Sequence, residues 1–153
     1  MQSCLTSPGR TLCALMLACT FAGCSSFKNP QPLPPLLDKA TAGSGYASAC
    51  PARNETERKL MAQSKLASSR EVDMRLEREF PAGTDAALLS KYLAAQGFKP
   101  EAPCEGDASV QRASFFRKGV GFLPYDTSAT VYWKVDAQQR IVWTKGFLFF
   151  IGL

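Results

Sequence analysis

Six cysteines, at positions 4, 13, 19, 24, 50 and 104, are the side chains in this chain best suited to covalent chemistry, and no histidine accompanies them. Without imidazole there is no Ser-His-Asp or Cys-His nucleophile system and no His-containing zinc site. Ser64, Ser68 and Ser69 lie near Lys65, a Ser-Lys spacing that helical sequence also produces by chance. Asp107, Asp126 and Asp136 sit near turns, where aspartate is expected to bond the local backbone rather than act as a paired acid and base. Gly119-Val120-Gly121 lacks the third glycine and the strand-to-helix setting of a phosphate loop. Metal ligands are not clustered along the chain, and no block of consecutive Lys or Arg marks a nucleic-acid surface. The residues therefore predict a protein that is not an enzyme, with no metal, no small-molecule cofactor and no nucleic-acid partner.

The fourth cysteine has a distinctive setting. Residues 1–10 carry one cation, Arg10, beside the amino terminus, and Thr11 to Gly23 is uncharged and largely apolar. That run has the length of a signal-peptide core and falls short of the ~20 residues of a membrane-spanning helix. Small residues, Ala22 and Gly23, precede Cys24, as a signal peptidase requires. By its residues alone the segment also reads as a secretory signal cut near Gly23, or as an uncleaved anchor. Phe21-Ala22-Gly23-Cys24 resembles the lipobox of bacterial lipoproteins, with Phe21 where leucine is usual. The resemblance implies that the Cys24 thiol receives diacylglycerol, that the chain is cut before it, and that the new amino terminus takes a further acyl chain such as palmitate. Each buried CH₂ contributes ~0.8 kcal/mol, so several chains hold a soluble domain on a membrane. Ser25 after the cysteine, in that family, implies the outer membrane.

On that reading Cys4, Cys13 and Cys19 leave with the signal, and Cys50 and Cys104 remain. In an oxidising periplasm the pair reads as one disulfide, closing a loop of about fifty residues and contributing about 3–4 kcal/mol. Two free thiols are the other reading. Neither lies in a Cys-x-x-Cys motif.

The elements that would position these residues follow from punctuation and period. Prolines at 30, 32, 34 and 35 predict an extended, semi-rigid tether, which Thr41-Ala42-Gly43-Ser44-Gly45 continues as a flexible stretch. The expected organisation is a signal peptide over 1–23, a lipidated Pro/Gly/Ser-rich tether over 24–49 and one domain over 50–153. Asn54 and Glu57 predict a helix start in the manner of a capping box. Residues 55–79 contain no Gly or Pro. Leu60, Ala67 and Met74 form one apolar stripe and Val72, Leu76 and Phe80 another. Their offset predicts a bend or break near Ser68-Ser69. Arg70, Glu71, Asp73, Arg75, Glu77, Arg78 and Glu79 make a mixed-charge face, either solvated or a binding surface. Thr84 is the expected cap of a second helix with Leu88, Leu89, Tyr92 and Leu93 inward, closed by Gly97 with Phe98 behind it. Val110 to Lys118 predicts a strand. Val131, Trp133 and Val135 alternate with Tyr132 and Lys134, a turn falls at Asp136–Gln139, and Arg140 to about Phe150 returns. The run Phe147 to Ile151 is too uniformly apolar for a half-exposed strand, so it is buried on both faces or meets a membrane or partner.

The order is α+β: two helices, then an antiparallel sheet of about three strands, behind a signal peptide and tether. It is similar to the BamE (SmpA/OmlA) type of small outer-membrane lipoprotein, whose Gly-Thr opening, helix and closing Gly the segment Gly83 to Phe98 resembles. That resemblance implies a lipid-anchored protein on the periplasmic face of the outer membrane, non-enzymatic, binding another envelope protein in outer-membrane assembly or maintenance. An inhibitor or immunity-type lipoprotein that occludes an enzyme or toxin is the alternative. Beyond Cys24 the charges are 17 − 13 = +4, a solvated excess or a match to an acidic partner. The expected partners are the membrane, through Cys24, and an envelope protein, through Trp143, Phe147, Phe149, Arg75 and Arg78. Trp133 is expected in the core.

Overall fold

Alternating β-branched and aromatic residues after Val110 build an antiparallel meander. The computed structural model describes residues 32–43, 48–63, 68–119 and 125–152. Strands β1 (Lys99–Glu101), β2 (Val110–Arg117), β3 (Asp126–Val135) and β4 (Ile141–Ile151) pair in that order in one sheet. The fold is α+β as expected, but four strands replace about three. The added strand, Lys99-Pro100-Glu101, is too short to alternate, and its proline reads as a breaker. As an edge strand it tolerates a residue that donates no ladder bond.

Three helices are described where two were expected: α1 (Glu55–Gln63), α2 (Arg70–Glu79) and α3 (Ala86–Ala95). The long first helix is broken, with Ser69 extended at the start of α2, as the offset stripes suggested. Asn54 caps α1 by accepting from Glu57 N at 2.8 Å, while the Glu57 carboxylate reaches back to Arg53 N at 2.7 Å. The cap of α3 is Asp85, accepting from Ala87 N at 2.9 Å. Thr84, the expected cap, instead pairs its carbonyl with Ile141 N. Gly97 adopts φ +84°, where glycine is favoured, and Phe98 N donates to Leu93 O at 3.0 Å, closing the helix as anticipated.

One face of the sheet carries the main core. Ala129, Val131, Trp133 and Val135 of β3 join Ala113, Ile141 and Leu148 beneath Val72, Leu76 and Phe80 of α2 and Leu89 and Leu93 of α3. A Cβ on Gly146 would stand 2.2 Å from Val72 Cγ1, so only glycine lets α2 lie so close to β4. The other expected stripe is overturned: Leu60 and Met74 are exposed, and Ala67 lies outside the described residues. Val72 and Leu76 face the sheet, and Met74, two residues from each, is turned about 200° away.

A segment expected in the tether belongs to this core. Leu36 and Leu37 are fully buried, Ala40 is buried and Leu33 packs against them. Leu36 N donates to Gln96 Oε1 at 2.8 Å, Arg75 Nη1 to Leu36 O at 2.8 Å, and Gly43 N to Leu148 O at 2.9 Å. Residues 33–43 thus pack with the domain that was expected to start at 50. Prolines disfavour a long helix here, but a turn in which Leu37 N and Asp38 N donate to Pro34 O packs the adjacent leucines as a strap.

The opposite face holds a smaller cluster of Cys104, Val110, Tyr132 and Phe147, flanked by Ala49, Cys50, Trp143 and Phe149. The Cys50–Cys104 disulfide, with Cα atoms 5.4 Å apart, staples the covering segments together. Tyr132 and Phe147 meet edge to face at 5.6 Å.

Candidate functional site

The five residues expected to touch a partner do not form one patch. Phe147 is buried under the disulfide-linked segments, and Phe149 packs half-buried on the same cluster. Burial there removes Phe147 from any contact role, because the apolar run supplies one residue to each face: Phe147 to the small cluster and Leu148 to the main core. Arg75 is half-buried and donates to Pro35 O and Leu36 O, which makes it a clamp on the strap. Arg78 is exposed and pairs with Glu79 at 2.9 Å.

Trp143 and Arg78 nonetheless lie on one shoulder of the molecule. A groove of about 320 Å³ between the end of α2 and β4 is lined by Glu77, Phe80, Val142, Trp143 and Lys145. A shallow depression on the outer side of α2 is lined by Glu71, Met74, Arg75, Glu77 and Arg78, so Glu77 joins the two. The shoulder is fixed from below by Asp73, which is buried. Its carboxylate accepts from Gly146 N at 2.7 Å, Ser68 Oγ at 2.6 Å and Lys145 Nζ at 3.2 Å. Ser69 N donates to Gly146 O. These contacts occupy the outer edge of β4, which would otherwise be a template for another strand. Ser68 and Ser69 therefore serve the helix–strand junction; Ser64 and Lys65 lie outside the described residues.

A second concavity of about 430 Å³ lies between α3 and the first two strands, with Lys91, Phe98, Pro100, Arg112 and Trp133 around it. Several of its polar groups are already engaged. Trp133 Nε1 donates to Gln111 Oε1 at 3.0 Å, and Arg112 Nε meets Ala102 O at 2.9 Å and Glu101 at 3.2 Å. The turn aspartates behave as the sequence suggested. Asp126 Oδ1 accepts from Gly119 N, and Asp136 Oδ1 accepts from Gln138 N and Arg140 N. Asp107 accepts from Ser109, whose hydroxyl is the main cause of its lowered pKa, with Lys134 assisting at 3.0 Å.

Among the described residues, no group of three or more His, Cys, Asp or Glu side chains could hold a metal ion. None of the described helices is long and apolar enough to cross a membrane. Cys24 lies outside the described residues. Comparison with protein-family models, with curated proteins and with solved structures finds no match.

One surface was only partly foreseen, through the apolar run that ends at Ile151. Phe116, Tyr125, Phe150 and Ile151 are exposed at one end of the sheet. Strand register alone brings them together: Phe116 is level with Ser128 and Phe149, and Ile151 pairs with Asp126 next to Tyr125. The apolar run ending at Ile151 was the available signal, but only the pairing shows which of its residues emerge.

Proposed function

We propose that this chain is a lipid-anchored protein of the outer membrane, held through Cys24 with its domain on the periplasmic side, that acts without catalysis by binding another envelope protein. The observation that carries the reading is the shoulder between α2 and β4. Met74 and Val142 are 58% and 46% exposed, and the charged side chains of Arg75, Glu77, Arg78 and Lys145 surround them together with half-buried Trp143. Apolar anchors ringed by charge are the usual anatomy of a protein-binding patch. The Cys50–Cys104 disulfide supports an oxidising compartment, and the lipobox-like segment supports the anchor. Confinement on a membrane raises effective concentration, so a modest intrinsic affinity suffices. A setting in outer-membrane assembly rests on the BamE resemblance.

The test is a photo-crosslinking residue placed at Met74 in the full chain in cells, with the same residue at Ala102 on the opposite edge as control. The expected result is one envelope protein captured from Met74 and absent from Ala102, with Cys24→Ala losing both the acyl groups and the capture. A captured enzyme or toxin moves the protein to the inhibitor class. Equal capture from both positions overturns the shoulder as the site, and a Cys24→Ala chain that stays in the membrane overturns the anchor.

A further inference from the structure

The end of the sheet opposite the Asp136–Gln139 turn carries exposed apolar side chains on both faces. Phe116 is 63% exposed, Tyr125 51%, Ile151 51% and Phe150 44%. The Tyr125 ring lies against the backbone of Gly152, since a Cβ there would sit 3.8 Å from two of its ring carbons. Tyr125 thus lies beside the end of β4, where Phe150 emerges on the helical face and Ile151 on the opposite one, and Phe116 stands two strands across from Phe149. Lys99 and Lys118 are exposed at the same end. Asp126, which pairs with Ile151, accepts from Gly119 N at 2.8 Å.

The strap enters at this end as well. Leu36 N is bonded to Gln96 Oε1, and the next residue, Gly97, lies beside the Phe115 ring at 3.7 Å from its would-be Cβ. Phe115 is adjacent to Phe116 on β2. Leu36 therefore lies near the level of Phe115, and nine residue steps separate Leu33 from Cys24. Fully extended, nine steps span about 30 Å, roughly the diameter of a small domain. A leash of that length lets the apolar end rest on the bilayer, whereas the opposite end can face it only when the leash is close to fully extended.

We propose that the sheet end formed by Phe116, Tyr125, Phe150 and Ile151 rests in the headgroup region of the membrane that holds the anchor, with Lys99 and Lys118 over anionic phospholipid. This rests on the lipid anchor at Cys24 and adds to it a second, non-covalent membrane contact. Aromatic side chains with a polar tip, such as Tyr125, suit the boundary between acyl chain and water, and basic residues beside them are attracted to anionic headgroups. The orientation leaves the α2–β4 shoulder clear, because α2 runs toward Ile141, away from the apolar end.

The test uses the full acylated chain reconstituted in phosphatidylethanolamine/phosphatidylglycerol vesicles whose acyl chains carry bromine, a contact quencher of tryptophan. A Tyr125→Trp reporter is compared with Gln138→Trp at the opposite end, both in a Trp143→Phe background. The expected result is at least threefold stronger quenching of the Tyr125→Trp reporter, reduced toward the control when Phe116→Ser and Ile151→Ser are added. Equal quenching of the two reporters, with an acylated Cys24 peptide found by mass, overturns the docked orientation and leaves the anchor standing. A Tyr125→Trp reporter shielded only when envelope proteins are added gives this end to a protein partner and overturns the proposal. A Cys24 peptide without acyl mass overturns both readings.

Discussion

The two faces of the sheet are sealed by different means. The helical face buries Val131, Trp133, Val135 and Leu148 beneath α2, α3 and the strap, a continuous apolar layer assembled from three separate parts of the chain. The opposite face buries four residues beneath segments with little regular structure, and a disulfide spanning 54 positions holds those segments down. Non-covalent packing suffices where helices bring long apolar stripes. Where the described cover offers small side chains such as Ala49, Cys50 and Cys104, loop-closure entropy removed from the unfolded chain contributes what burial does not. The comparison also explains the exposed sheet end. Both covers stop short of Phe116 and Ile151, and neither face extends its seal over the last residues of β4.

Breaking the helical face gives the largest expected effect. Leu36→Ala with Leu37→Ala removes two fully buried side chains, each worth about 2–5 kcal/mol. Chemical denaturation of the double variant is expected to show most of the domain's stability gone. A loss below about 1 kcal/mol would show that the strap lies on the fold without supporting it. Opening the other face comes next. Cys50→Ala with Cys104→Ala is expected to cost about 3–4 kcal/mol at equilibrium. Amide exchange is expected to accelerate over residues 104–110 more than over α2 and α3. Uniform acceleration across both faces would mean that the two seals unfold as one.

The smallest effect is electrostatic. The Thr41 hydroxyl donates to Glu71 Oε2 at 2.5 Å, and with the Glu71 and Thr41 backbone amides it lowers the Glu71 pKa from 4.5 to about 2. A carboxylate whose folded pKa is depressed contributes stability that is complete above its unfolded value and lost as pH falls through its folded value. The window here runs from about 4.5 down to about 2. The expected result is a melting temperature that falls less steeply across this window in Glu71→Gln than in the parent chain. Superimposable profiles would remove Glu71 from the docking of the strap.

Much of the sheet was legible in the sequence because a period of two needs only local information. The spacing of Val131, Trp133 and Val135 identified one buried face, and Gly97 with Phe98 marked the end of α3. Val72, Leu76 and Phe80 were legible through the i, i+4 spacing of a helix, which is equally local. The strap was not, since its prolines indicate only what Leu36 and Leu37 cannot form, and their burial depends on helices that follow by tens of residues. Phe147 was misplaced because its cover arrives through Cys50 and Cys104, a contact with no periodic signature. Of the candidate surfaces, Trp143 and Arg78 could be read as residues, but the groove that relates them through Glu77 exists only after α2 crosses β4. The exposed sheet end required strand register, which sequence alternation does not specify.

Leu36 and Leu37 also set how the molecule carries load. With the proposed anchor in place, tension between bilayer and bound partner enters the domain along residues 33–43, where Arg75 grips the Pro35 and Leu36 carbonyls and Gly43 meets Leu148. The force is delivered into the centre of the fold rather than onto a loose end. Pulling would peel Leu33 first and then shear the leucine pair from beneath α2. Mechanical yield and thermodynamic stability are therefore drawn from the same contacts, and a tug strong enough to lengthen the leash is one that begins to open the core.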